Sequence, residues 1–168
     1  MLELKEILQF AIPCWLVNMS LNLIYIFKFN FPNLRKFDAP LDGGVNFFDN
    51  HRILGNSTTL PGLLLAVVVG IILSSMFSFT IGLGIAIGLS VYFGHALGSF
   101  VKRRAGFADG EFMPIVDHGD YILTAGLVLG LLNKFSWKII AIGILITYIV
   151  HPIVTYIAYK LKLHKHPR

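Results

Sequence analysis

The chain has 168 residues, of which 55% are hydrophobic and only 14% charged, with a formal net charge of +5. Its mean hydropathy is +0.72. Soluble domains carry about 25% charged residues, so the composition excludes an ordinary soluble domain, while the length indicates one domain. The single cysteine, Cys14, excludes an intrachain disulfide and is expected to be a small buried hydrophobe.

Three uncharged runs predict membrane helices. They cover residues 7–27, 53–101 and 139–159 and have lengths of 21, 49 and 21 residues. A helix needs about 20 apolar residues to cross about 30 Å of hydrocarbon. The middle run is therefore expected to form two helices joined by a very short turn, Ser78 to Thr80.

A further helix is predicted before residue 134. Tyr121 to Asn133 offers only 13 uncharged residues, too few to cross alone. An extension back to Pro114 reaches the required length and brings Asp117 and Asp120 to the membrane edge. The sequence thus predicts one all-α integral membrane domain over residues 1–168. Its five transmembrane helices are expected at about 7–28, 60–78, 80–101, 114–133 and 138–160.

The distribution of lysine and arginine predicts the orientation. With an external N-terminus, three of the 14 basic residues lie outside and eleven lie inside. Such an excess is typical of cytoplasmic loops. Both polar loops, at about 29–59 and 102–116, and the C-terminus are then expected at the cytoplasmic face of the cell membrane. The eleven are Lys28, Arg35, Lys36, Arg52, Lys102, Arg103, Arg104, Lys160, Lys162, Lys165 and Arg168.

Asp117 and Asp120 form the first candidate site. A carboxylate at a membrane boundary indicates function because it is expensive to bury there. At i and i+3 of a helix start, both side chains can converge on one point, and Mg²⁺ takes one or two carboxylates together with substrate phosphates. In the alternative interpretation, the two carboxylates only favour the positive helix N-terminus.

Basic residues precede this pair along the chain. Lys102, Arg103 and Arg104 are typical of membrane anchors, but near two aspartates they also suit phosphate binding. Ser99, one turn earlier, adds a hydroxyl donor. The intramembrane His95 and His151 are candidates too, although an isolated histidine in a span often satisfies an interhelical hydrogen bond.

The first polar loop offers a second group of candidates. Asp42, Asp49 and Arg52 precede the turn from Gly55 to Thr59, which lacks the lysine of a P-loop. A solvated loop is the alternative. Glycines inside the predicted helices favour close helix packing, above all two G-x3-G repeats. These repeats are Gly84 with Gly88 and Gly94 with Gly98.

Five motifs resemble the CDP-archaeol synthase family, small membrane cytidylyltransferases that are distantly similar to bacterial CDP-diacylglycerol synthases. The resemblance extends from about Pro40 to the C-terminus, and the third and fourth motifs are its specific part. The motifs are P-L-D-x-G (Pro40 to Gly44), D-x-x-R-I-L-G (Asp49 to Gly55), S-F-x-K-R-R (Ser99 to Arg104), G-x-x-x-P-x-x-D-x-x-D (Gly110 to Asp120) and H-x7-Y-K-L (His151 to Leu161).

The resemblance implies transfer of a cytidylyl group from CTP to a lipid phosphate, 2,3-di-O-geranylgeranylglyceryl phosphate, with release of pyrophosphate. It implies that Asp117 and Asp120 hold Mg²⁺ and, with Lys102 and Arg103, carry the catalysis. The lipid phosphate would itself be the nucleophile. The substrate-binding side chains implied are Arg104, Ser99, Asp42, Asp49, Arg52 and His151.

The chain departs from the family pattern at four polar positions. The family has an aspartate at the position of His95, a lysine at Thr58, an arginine at Pro61 and an asparagine at Thr155. His95 is therefore a further candidate metal ligand, although imidazole is a poor match for Mg²⁺.

The predicted function is CDP-archaeol-synthase-like cytidylyl transfer in phospholipid biosynthesis. The expected partners are CTP, an isoprenoid or acyl glycerol phosphate lipid and the membrane, with no nucleic acid. One alternative is a diverged non-catalytic homologue that acts as a membrane lipid-binding, nucleotide-binding or partner protein, and the other is a small transporter. Transporters often contain inverted repeats, and none is evident in this sequence.

Overall fold

Five helices make up most of the computed structural model, which describes residues 2–30, 39–109 and 111–160. This is the all-helical architecture that the sequence predicts. The predicted basic residues at 31–38 and 161–168, the side chain of Lys28, and Gly110 lie outside the described residues. The helices are α1 (Leu2–Asn30), α2 (Leu60–Met76), α3 (Ile81–Arg104), α4 (Pro114–Leu131) and α5 (Trp137–Lys160).

The end of α3 differs from the prediction. The helix continues to Arg104, and Ala105 terminates it before Gly106, which has a φ of 81°. The three basic residues from Lys102 to Arg104 therefore form the last helical turn rather than the start of the second polar loop. Cations are favoured there because the C-terminal end of a helix carries partial negative charge.

Short polar residues and prolines explain where α2, α3 and α4 begin. Thr59 caps α2 by accepting a hydrogen bond from a backbone N–H of its first turn, and Thr80 does the same for α3. Pro61 and Pro114 lie in the first turns of α2 and α4, where the missing N–H of proline costs nothing. The departure from the family at Pro61 thus has a local structural role.

Glycines allow α3 to pack closely between α2 and α4. A methyl group at Gly84 or Gly88 would overlap the backbone of α2, and one at Gly94 or Gly98 would overlap Asp120 or its neighbours on α4. The two G-x3-G repeats therefore mediate close helix packing, which confirms the prediction. The second repeat also brings the aspartate of α4 against α3.

Exposed apolar side chains recur every four residues along the helices, as expected for lipid-facing surfaces. Within the described residues, Glu3–Ile24, Ile81–Arg104 and Trp137–Lys160 are long and apolar enough to cross a membrane, and Leu60–Met76 is apolar but shorter. The five-span count and the orientation stay predictions. The exposed side chains include Leu60, Leu64, Val68, Ile72 and Met76 on α2, Phe93, Leu97 and Val101 on α3, and Leu123, Leu127 and Leu131 on α4.

Candidate active site

The last turn of α3 meets the first turn of α4 through an ion pair. Lys102 Nζ donates to both carboxylate oxygens of Asp117, at 2.8 and 3.0 Å. One of these oxygens also accepts the backbone N–H of Met113, at 2.7 Å, just before α4 begins. Asp117 therefore stabilises the start of α4 and neutralises Lys102 at the same time.

Asp120, one turn along α4, contacts two other helices through a histidine. Its Oδ2 lies 3.2 Å from Nδ1 of His95 on α3, and Nε2 of that ring lies 2.7 Å from Oδ1 of Asn18 on α1. Since an amide oxygen only accepts hydrogen bonds, Nε2 of His95 donates to Asn18. The side chains of Asp120 and Asn18 are both buried.

The same network continues to α5. Nδ2 of Asn18 lies 3.3 Å from Nε2 of His151, and Nδ1 of His151 lies 2.8 Å from Nδ1 of His118 on α4. An amide nitrogen only donates, so the orientation of Asn18 fixes which nitrogen of His151 accepts. We call these five residues, Asp120, His95, Asn18, His151 and His118, the histidine network.

Arg103 has a different environment from its neighbours. Its side chain is 9% exposed, and Nη1 lies 4.0 Å from the carboxylate of Asp109. Its Nε is buried and has no hydrogen-bond partner among the described residues. A buried cation of this kind is costly unless it is paired, so Arg103 has unused capacity to bind an anion.

The first polar loop is organised around Asp42, whose side chain is 1% exposed. It accepts hydrogen bonds from Arg52 at 2.7 Å and from the backbone N–H groups of Leu54 and Gly44. Burial alone would raise the pKa of Asp42, but these hydrogen bonds and the charge of Arg52 together lower it below its ordinary value. Asp42 therefore stabilises the loop as an ionised group.

Arg104 holds this loop against the end of α3. It donates to the backbone oxygens of Arg52 and Ile53 at 3.0 and 3.2 Å, and Nε lies 3.1 Å from Asp49. Its guanidinium lies 3.7 Å from the ring centroid of Phe100, a favourable cation–π contact. Arg104 thus donates hydrogen bonds to the first loop, whereas the contact of Arg103 with a carboxylate is an ion pair of 4.0 Å with Asp109.

The two polar loops contact one another above α3. The backbone N–H of Asn56 donates to Asp109 at 3.0 Å, and a methyl group at Gly55 would overlap that carboxylate. Thr58 donates to Ser99 on α3 at 3.3 Å. Both loops therefore lie at the same end of the helix bundle, beside the Lys102–Asp117 pair.

The structure divides the predicted site residues into two groups. Four of them meet between α3 and α4, and four form the contacts of the first loop. Arg103 faces Asp109 of the second polar loop, His151 lies in the histidine network, and Ser99 joins the first loop to α3. The first group is Lys102, Asp117, Asp120 and His95, and the second is Asp42, Asp49, Arg52 and Arg104.

Three residues of this region were absent from the sequence prediction: Asn18, His118 and Asp109. Asn18 was detectable as a polar residue inside the apolar run of α1, and His118 as the residue directly after Asp117. The role of Asp109 could not be predicted from the sequence, because the contact between the two polar loops is visible only in the folded chain.

The side chains at this end of the bundle supply some, but not all, of the oxygen ligands that Mg²⁺ requires. Asp117 and Asp120 supply carboxylate oxygens, which Mg²⁺ prefers. Each carboxylate is held by a protein side chain, Lys102 or His95. Among the described residues, no group of three or more His, Cys, Asp or Glu side chains could hold a metal ion, so any Mg²⁺ would need further oxygens from substrate phosphates.

Comparison with known proteins identifies the family. The CarS-like CDP-archaeol synthase family matches residues 4–167. The chain belongs to the CDP-archaeol synthase family. The CDP-archaeol synthase of Pyrobaculum aerophilum is 31% identical over 82% of this chain and 87% of its own, and that of Methanopyrus kandleri is 31% identical over 99% and 94%.

A solved structure agrees with this assignment of the CDP-archaeol synthase family. It is described as an intramembrane enzyme for archaeal membrane lipids biosynthesis, and it has 25% identity and a TM-score of 0.63 over 86% of this chain and 89% of its own. The resemblance in the motifs is thus confirmed, and the chain is an all-helical membrane protein. Membership of this family of enzymes favours lipid cytidylyl transfer over the non-catalytic homologue and the transporter.

Proposed function

We propose that the protein transfers the cytidylyl group of CTP to the phosphate of a membrane glycerol lipid and releases pyrophosphate. The substrate side would be the end of the bundle where the two polar loops meet, at the cytoplasmic face of the cell membrane. The excess of lysine and arginine on that side supports this orientation.

The observation that carries the proposal is the state of Arg103. This arginine is nearly buried, its Nη1 lies 4.0 Å from the carboxylate of Asp109, and it follows Lys102 of the Lys102–Asp117 pair directly in the sequence. Guanidinium groups bind phosphate oxygens through several N–H donors at once. A phosphate that reached this position would meet a guanidinium whose ion pair with Asp109 is only 4.0 Å long.

The chemistry requires binding and charge neutralisation rather than a protein nucleophile. An oxygen of the lipid phosphate attacks the α-phosphorus of CTP and forms the new P–O bond. The bond from the α-phosphorus to the oxygen that leads to the β-phosphorus breaks, and that oxygen leaves with pyrophosphate. Arg103 and Lys102 would neutralise the phosphate charge, which stabilises the transition state.

Asp117 and Asp120 would hold Mg²⁺, whose chemistry is to neutralise phosphate oxygens. The histidine network would keep Asp120 in place, because His95 contacts its carboxylate and Asn18 fixes the ring of His95. In the first loop, Asp49 and Arg104 would act indirectly, by holding Asp42 and Arg52 above the end of α3.

The test is incorporation of radiolabelled CTP into lipid by the purified protein with Mg²⁺, using a panel of ether- and ester-linked lipid phosphates. We expect a labelled CDP-lipid with at least one acceptor. Asp117→Asn and Asp120→Asn should each abolish Mg²⁺-dependent CTP binding.

The matched control is Glu3→Gln, another carboxylate-to-amide change. Glu3 forms a 2.8 Å ion pair with Lys138 at the opposite end of the bundle, so this variant should keep full activity. CTP binding without product for any acceptor would contradict the proposed transfer and favour the non-catalytic alternative. Normal Mg²⁺-dependent binding in both aspartate variants would contradict the metal assignment.

A further inference from the structure

The tip of the first polar loop exposes apolar side chains to its surroundings. Phe48 is 97% exposed, Val45 is 57% exposed and Phe47 is 40% exposed. We call Val45, Phe47 and Phe48 the loop tip. A fully exposed phenylalanine in water is unfavourable, and the tip lies in a loop whose other residues include Asp42, Asp49 and Arg52.

The backbone holds the loop tip in a defined shape. Asn46 and Arg52 form an isolated antiparallel bridge, and Phe47 N–H donates to the carbonyl of His51 at 2.8 Å. Asn50 closes the turn with a φ of 63°, a left-handed conformation that asparagine tolerates well. The exposed ring of Phe48 is therefore presented by a structured turn.

The loop tip continues an apolar surface of α3. The ring of Phe47 packs edge-on against that of Phe48, at 5.1 Å between centroids, and against Phe100 of α3, at 5.5 Å. Phe100 lies three residues after Leu97, on the same face of α3, and Leu97 belongs to the exposed apolar row of that helix. Through Phe100, and beside the guanidinium of Arg104, the loop tip therefore adjoins the exposed apolar side of α3.

We propose that the loop tip inserts into the interfacial layer of the bilayer that surrounds the protein itself. The occupant of this surface is lipid, because the surface continues the exposed row of α3, which in a membrane protein faces lipid. Phenylalanine and valine are suited to the boundary between headgroups and acyl chains. The insertion would hold the first loop against the membrane surface.

This insertion has a consequence for the end of the bundle. The loop that carries the tip also contains Asp42 and Arg52, and it is tied to α3 by Arg104. A loop fixed in the interface would thus keep these groups at the level of lipid headgroups. The inference does not depend on the proposed reaction, since it concerns the placement of a loop in the bilayer.

Spin labels at the loop tip test the proposal in lipid vesicles that contain only this protein. Phe48→Cys carries a nitroxide label, and its collision rates with oxygen and with a water-soluble nickel chelate are compared. Oxygen concentrates in hydrocarbon while the chelate stays in water. Cys14 is buried. Treatment of the unsubstituted protein with the nitroxide reagent checks that Cys14 does not take up the label.

The matched control is His51→Cys, an exposed polar position in the same turn. We expect the ratio of oxygen to chelate collisions to be higher at position 48 than at position 51. Val45→Cys is a second reporter, in case the label at position 48 disturbs the turn, and it should resemble position 48.

Two outcomes would overturn the proposal. If positions 48, 45 and 51 all collide freely with the chelate, the loop tip points into water. If positions 48 and 45 collide slowly with both reagents, protein covers the tip, and a second copy of the chain is then the occupant rather than lipid.

Discussion

Arg103→Met and Arg104→Met should have opposite effects, although they remove the same group from neighbouring residues. Arg104 donates to the backbone oxygens of Arg52 and Ile53, pairs with Asp49 and packs on an aromatic ring. Its loss leaves partly buried acceptors without this donor, and an unsatisfied buried group costs about 1–3 kcal/mol. We expect Arg104→Met to lower the free energy of unfolding by about 2–4 kcal/mol.

Arg103 is the opposite case. Its ion pair with Asp109 is 4.0 Å long, and Asp109 keeps its own hydrogen bond from Asn56 when the arginine is removed. Methionine fills a similar volume and removes a poorly compensated buried charge. We therefore expect Arg103→Met to change the free energy of unfolding by less than about 0.5 kcal/mol or to increase it.

The two variants should rank in the reverse order for phosphate binding, with the larger loss in Arg103→Met. A hydrogen bond to a charged group contributes about 1.5–3 kcal/mol, so the loss of Arg103 should weaken the binding of a phosphate substrate by roughly 10- to 150-fold. Thermal unfolding in detergent measures the stability of both variants, and CTP titrations of the transfer reaction give KM and kcat. A stability loss in Arg103→Met as large as that in Arg104→Met would refute the argument, because Arg103 would then be a structural residue with partners of its own.

Three further changes test other parts of the site. Gly98→Ala should displace Asp120, because the added methyl group overlaps its carboxylate, and should cost about 1–3 kcal/mol of stability in thermal unfolding. Asp42→Asn should lower the free energy of unfolding at neutral pH, because the ionised carboxylate pairs with Arg52. The difference from wild type should shrink as the pH falls below about 4, the ordinary aspartate pKa, and vanish only below the lowered pKa of Asp42 in the folded protein. Asn18→Ala should raise the KM for Mg²⁺ more than that for CTP.

The sequence was sufficient to predict the helices because their signal is local. Uncharged runs of about 20 residues and the G-x3-G repeats depend only on residues near one another in the chain. Helix α3 continues one turn beyond the predicted span of 80–101 and includes Lys102 to Arg104. A charged residue can remain helical at the end of a span when it finds a partner, as Lys102 does in Asp117.

The partners within the site could not be predicted in the same way. The sequence places Asp117 and Asp120 one turn apart, which suggests a shared ion, whereas the structure shows that each contacts a different side chain of α3. Likewise, Asn18 and His151 are 133 residues apart and meet only because α1 packs against α5. Contacts between distant residues depend on helix packing, which single residue patterns do not specify.

The pairing of charges indicates how substrate and metal would depend on one another. Lys102, Arg52 and Arg104 each lie within 3.1 Å of a carboxylate oxygen, whereas Arg103 is 4.0 Å from one. A phosphate that draws Lys102 away from Asp117 would leave a partly buried carboxylate, which would then need another cation. A CTP phosphate that binds Lys102 would free the carboxylate of Asp117 for Mg²⁺, and Mg²⁺ bound to Asp117 would free Lys102 for the phosphate. Binding of CTP and binding of Mg²⁺ should therefore be mutually favourable.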